Sequence, residues 1–152
     1  MDRAVVNSTC VMALERIGRL DILATSYTEV LAPPAVQDEV GGTIEGVIIR
    51  APSDPGVVLA LETQLGRGEA SAIALAMEIP GAVLLLDEKK ARRVAQQLGL
   101  RITGTLGLIL CAKRRGFLPA VRPILDELER VGFRMTRRLR LEALRLSGEE
   151  TS

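Results

Sequence analysis

Residues 82–87 read Ala-Val-Leu-Leu-Leu-Asp. Five apolar residues of strand length follow the turn pair Pro80-Gly81 and end on a carboxylate. A strand with one solvated face would alternate in polarity. This one does not, so it reads as a strand buried on both faces, the kind found in parallel sheets covered by helices. Working outward, helical spacing appears on either side, over 69–79 and 88–98. Further strands are expected at 4–6, 30–32, 47–49 and 101–103. Further helices are expected at 9–17, 20–24, 34–40, 59–65, 106–115, 120–131 and 136–146. Gly18 closes the first helix, and Pro34 suits the first position of the third. Residues 43–55 are rich in turns, and Phe133 opens a short extended piece. Strands alternating with helices give an α/β fold with a mostly parallel sheet. The chain is read as a single domain over 1–148 with a frayed tail at 149–152.

Composition narrows the chemistry. The chain contains no histidine, which excludes serine-hydrolase triads, histidine bases and nearly every catalytic zinc site. Aromatic residues make up only 2%, which argues against recognition of single-stranded nucleic acid by stacking. Cys10 and Cys111 sit inside apolar runs and are read as reduced core residues of a cytoplasmic protein. No signal peptide precedes the first strand, and no apolar stretch approaches the roughly 20 residues needed to span a bilayer. Charge is uneven. Residues 1–112 carry 10 basic and 13 acidic side chains, whereas residues 113–152 carry 10 basic, nearly all arginine, and 6 acidic. Arginine reads phosphate well, so the second half could hold an acidic polymer, although a solvated helical surface accounts for the same charges.

Ligands of open parallel sheets bind beyond the carboxyl ends of the strands. Asn7 follows Val5-Val6 there, and Asp87 follows Leu84-Leu85-Leu86. Asp87 could instead be the N-cap of the following helix, and Glu69 lies in a first helical turn that favours a carboxylate in any case. Glu39 is less easily dismissed, because it lies in the last turn of its helix, where negative charge opposes the dipole. Glu39, Glu69, Asp87 and the Asn7 carbonyl together form a set of hard oxygen donors suited to Mg²⁺ or Mn²⁺. They are expected to converge at one edge of the sheet. The stretch Gly66-Arg67-Gly68 lacks the spacing of a phosphate loop and reads as a turn between helices.

Several motifs together resemble a PIN-like branch of prokaryotic proteins. They are Val5-Val6-Asn7-Ser8-Thr9 with Ile17-Gly18-Arg19-Leu20-Asp21, Gly68-Glu69-Ala70 running on to Ala76, and Leu84-Leu85-Leu86-Asp87. Gly104-Thr105-Leu106-Gly107 and Ala112 to Gly116 complete them. The resemblance covers nearly the whole chain. It implies a three-layer α/β/α fold, RNA cleavage dependent on Mg²⁺ or Mn²⁺, frequent dimerisation, and kinship with VapC-type toxins, which a small antitoxin protein neutralises. It places the family's acidic positions on Asn7, Glu39, Glu69 and Asp87, with catalysis by the three acids, and makes Ser8, Thr9 and Thr105 polar supports. The family usually has aspartate after the first strand. Asn7 keeps a carbonyl oxygen there but removes one negative charge.

The resulting expectation is a metal-dependent ribonuclease of the toxin type with RNA as substrate. The competing reading is a non-catalytic module that binds RNA or a protein partner, and Asn7 is its main support. An unrelated nucleotide-binding domain is disfavoured by the missing phosphate loop. The Leu- and Ile-rich helices near the N-terminus and at 106–110 suggest a homodimer with an apolar interface.

Overall fold

The computed structural model describes residues 2–149. Five strands form one sheet: β1 (Arg3–Val6), β2 (Glu29–Ala32), β3 (Ile48–Ile49), β4 (Val83–Leu85) and β5 (Arg101–Thr103). All pairings are parallel, in the spatial order β3-β2-β1-β4-β5. The helices are α1 (Ser8–Arg16), α2 (Asp21–Ser26), α3 (Pro34–Val40), α4 (Pro55–Glu62) and α5 (Arg67–Met77), followed by α6 (Lys89–Gln97), α7 (Thr105–Arg114), α8 (Arg122–Arg130) and α9 (Arg137–Leu146).

The alternation of side chains along a strand sorts the core into two halves. Val6, Val30, Ala32, Val83 and Leu85 face one side, where α1, α2, α7, α8 and α9 pack. Val5, Leu31, Leu84 and Leu86 face the other, against α4, α5 and α6. Three layers result, with the apolar run at 82–86 buried throughout, as its composition requires. Burying a leucine such as Leu84 or Leu85 contributes about 1.5–3 kcal/mol.

Some boundaries differ from the sequence reading, most clearly at α4, where a cap is the cause. Helix α4 begins at Pro55 rather than 59, because Asp54 accepts hydrogen bonds from the backbone N–H groups of Gly56 and Val57 and Pro55 fills the first helical position. Helix α3 ends at Val40 as expected, with the C-cap Gly41 at a φ of 94° that only glycine adopts freely. No strand forms at Phe133. Cys10 is buried as expected, but Cys111 is only partly so. Leu108 and Ile109 of α7 are buried in the core, and Leu106 and Leu110 pack against it partly buried.

Glu149, assigned by sequence to a frayed tail, is instead held in place, while residues 150–152 lie outside the described residues. Its Oε2 accepts from Lys113 Nζ and Val121 N, both at 2.7 Å, and its Oε1 accepts from Arg122 N at 3.0 Å. The carboxylate thus ties the end of α9 to α7 and α8. Partial burial works to raise its pKa, but the bonds from Lys113, Arg122 and Val121 outweigh it and hold the group down at about 2. The stabilisation is therefore complete above the ordinary value of 4.5 and is lost as pH falls towards about 2. Urea unfolding of Glu149→Gln should show a loss of about 2–3 kcal/mol at neutral pH. That gap should close in acid, as the wild-type carboxylate takes up its proton.

Candidate metal and phosphodiester site

The strand order reverses between β1 and β4. From β1 the chain steps to β2 and β3 on one side, and only then to β4 and β5 on the other. Such a switch point opens a crevice at the carboxyl ends of the strands, and Asn7 and Asp87 both emerge there. The ladder runs one residue past β1, with Asn7 N donating to Leu85 O at 3.2 Å. Asn7 then occupies the N-cap position of α1, yet its side chain makes no capping bond. It is 4% exposed, and its Oδ1 is buried without a hydrogen-bond partner. An unsatisfied buried carbonyl costs about 1–3 kcal/mol, so its retention calls for a functional account.

Asp87 is not the N-cap of α6. That role belongs to Glu88, whose Oε2 accepts from Ala91 N at 2.7 Å. Asp87 instead reaches the start of α7. Its Oδ1 accepts from Thr105 N at 2.8 Å and its Oδ2 from Thr105 Oγ1 at 2.6 Å. Thr105, fully buried, fixes the carboxylate, and the positive end of the α7 dipole favours its charge. Burial pushes the neighbouring Cys10 thiol up to about 12, against a hydrogen bond with Thr105 and helped by the charge of Asp87. Ser8 is half-buried in the first turn of α1, and Thr9 is exposed beside it.

Glu39 and Glu69 form a second pair. The Glu39 carboxylate occupies the space that a Cβ on Gly68 would need. It therefore lies against the first turn of α5, where unsatisfied N–H groups favour negative charge. This resolves its awkward place in α3: what its own helix disfavours, the next one stabilises. Glu69, in that same turn, accepts from Gly66 N at 3.4 Å. Its pKa is raised, first by burial and then by the charges of Glu88 and Glu39, with the Gly66 bond and Lys90 opposing.

Asn7 and Asp87 thus leave the ends of the neighbouring strands β1 and β4, and Glu39 lies against the first turn of α5, which carries Glu69. Among the described residues no three acidic, histidine or cysteine side chains gather closely enough to hold an ion. In chemistry the set fits Mg²⁺ or Mn²⁺, since every donor is a hard oxygen and one is a buried carbonyl with no other partner.

Beside this edge opens a cleft of about 450 Å³. Asp87, Glu88 and Thr9 line it together with Met12, Arg16, Phe133 and Arg134. The sequence reading did not single out Glu88, Arg16, Phe133 or Arg134. Arg16 belongs to α1 and the Phe133-Arg134 pair to the turn after α8, so only folding brings them to the acids. The signal available was a lone aromatic flanked by Gly132 and Arg134.

A family model described as a PIN domain matches residues 3–149. Comparison with curated proteins and with solved structures yields no match. The three-layer fold with an all-parallel five-stranded sheet agrees with that family, and the match spans nearly the whole chain, so the chain belongs to the PIN domain family.

Proposed function

We propose that this chain is a metal-dependent ribonuclease of the VapC toxin type. PIN domains are commonly nucleases and generally use divalent metals. The observation that carries the reading is the buried, unpartnered Oδ1 of Asn7, set beside Asp87 at the switch point of the sheet. Asp87 presents a carboxylate fixed by Thr105, and Glu39 and Glu69, at the first turn of α5, would complete the donor set. A bound Mg²⁺ or Mn²⁺ would supply an activated water and offset charge on the leaving oxygen. The protein's own contribution is to hold the oxygen donors, to keep the Asn7 carbonyl dry and to seat the RNA backbone in the adjoining cleft. Asn7 in place of aspartate makes the site one charge weaker. No helix among the described residues is long and apolar enough to cross a membrane, and a cytoplasmic setting belongs to the same reading. So do a homodimer and a small antitoxin partner, whose contact surfaces would draw on exposed Leu59 of α4 or Leu139, Leu141 and Leu146 of α9.

The test is incubation of the purified protein with RNA, with and without Mn²⁺. Cleavage that needs the metal and stops with a chelator supports the reading. RNA that is bound but stays intact at every metal concentration favours the non-catalytic module instead, as Asn7 would suggest.

The cleft makes its own contribution to RNA binding. Arg16 and Arg134 flank the acids and can neutralise phosphates on either side of the scissile bond. The double variant Arg16→Ala/Arg134→Ala should bind RNA at least about tenfold more weakly in chelator. Its dependence on salt should be shallower by roughly 0.7 for each single-strand phosphate that the missing arginines would have neutralised. Fluorescence anisotropy across a salt series measures both.

A further inference from the structure

We infer that Arg92 is a phosphate-binding residue of this site, its guanidinium holding a non-bridging oxygen of the RNA phosphodiester beside Asp87. The inference rests on the ribonuclease reading and adds a residue to it. Arg92 projects from α6, and its Nη1 donates to the carbonyl of Leu86, the residue before Asp87, at 3.0 Å. That bond anchors the head of a long side chain at the carboxyl end of β4. The same Nη1 lies 2.8 Å, and Asp87 Oδ1 2.9 Å, from the point a Cβ on Gly104 would occupy. Cation and carboxylate thus both close on Gly104, so tightly that a methyl group there would displace one of them. They nevertheless form no ion pair among the described residues.

A simple structural role would use Arg92 to neutralise Asp87. The structure has Asp87 satisfied by Thr105 instead, leaving the guanidinium anchored through one N–H. Guanidinium carries five donors in a planar fork matched to phosphate oxygens, so several remain beyond the bond to Leu86. The electrostatics require such a group. A phosphate brought close to Asp87 meets a fixed negative charge, and a site already short of one carboxylate at Asn7 holds cations less strongly. A cation tethered to the protein opposes that repulsion whether or not metal is bound. It also favours the phosphate's approach from the α6 side, next to the start of α7.

The experiment measures binding of a short fluorescein-labelled single-stranded RNA in chelator, by anisotropy over a salt series, for wild type, Arg92→Gln, Arg92→Lys and Gly104→Ala. Thermal melting of each is followed in parallel. Arg92→Gln should bind about tenfold more weakly, the effect of one charged hydrogen bond, with a salt slope shallower by roughly 0.7. Arg92→Lys should recover the slope but only part of the affinity, since lysine supplies the charge without the fork. Gly104→Ala keeps the charge but forces the guanidinium or the Asp87 carboxylate to shift, and should lose affinity with its slope little changed; Arg92→Lys carries the test should Arg92→Gln melt too low to assay. If Arg92→Gln, or Arg92→Lys in its place, binds RNA as wild type does, Arg92 merely ties α6 to Leu86 and the inference is overturned. If wild type itself binds no RNA, the nucleic-acid reading fails, and this inference with it. A fall in melting temperature with affinity and slope intact counts against a phosphate contact.

Discussion

Asn7→Asp is expected to bind Mn²⁺ roughly tenfold to a hundredfold more tightly than wild type, and to cleave RNA faster at limiting metal. Ligand charge is a main determinant of affinity in oxygen-donor sites, and the substitution adds a full negative charge with almost no change of shape. The same variant should be less stable than wild type when metal-free. Asn7 is 4% exposed, and a carboxylate buried there without a partner costs several kcal/mol. Added Mn²⁺ should then raise the melting temperature of Asn7→Asp by more than it raises that of wild type. Calorimetric titration with parallel melting curves measures both effects. If the substitution changes neither affinity nor metal-linked stability, Asn7 does not face the ion, and the non-catalytic module becomes the better account.

Asp87→Asn is expected to abolish whatever cleavage the wild type performs, a loss of at least about a hundredfold. The amide can preserve the local geometry, its oxygen accepting from Thr105 N and its NH₂ donating to Thr105 Oγ1, so the fold should survive with little change in melting temperature. The charge is lost, and with it the one site carboxylate that the structure holds by both oxygens. Retention of full activity by a well-folded Asp87→Asn would move the chemistry away from this edge of the sheet.

Much of the architecture was legible because it is dictated locally. The run Val83-Leu84-Leu85 can be stable only between two apolar layers. Pro34 at the start of α3 and the left-handed Gly41 at its end are punctuation that survives any tertiary context. Asp54 followed by Pro55 was equally plain punctuation, and α4 was placed late because hydrophobic spacing was read ahead of the cap. The site divides in the same way. Asn7 and Asp87 could be paired from sequence because each directly follows an apolar strand, and parallel neighbours bring such positions together. What escaped was set by tertiary geometry: the attachment of Asp87 to Thr105 rather than to its own helix, the seat of Glu39 on the first turn of α5, and the arrival of Arg16, Arg92 and Arg134 at the acids. No spacing rule encodes those contacts: most join elements far apart in the chain, and Arg92 reaches back from α6 to Leu86.

The central claim, that a divalent cation and an RNA phosphate meet at the ends of β1 and β4, is tested most directly by anomalous diffraction from crystals of the protein soaked in Mn²⁺. The account predicts a peak bounded by the Asn7 carbonyl and the Asp87 carboxylate, with Glu69 and Glu39 turned towards it, and a stronger peak in Asn7→Asp. No manganese at this edge in either protein, with Asp87 still closed onto Thr105, would contradict it.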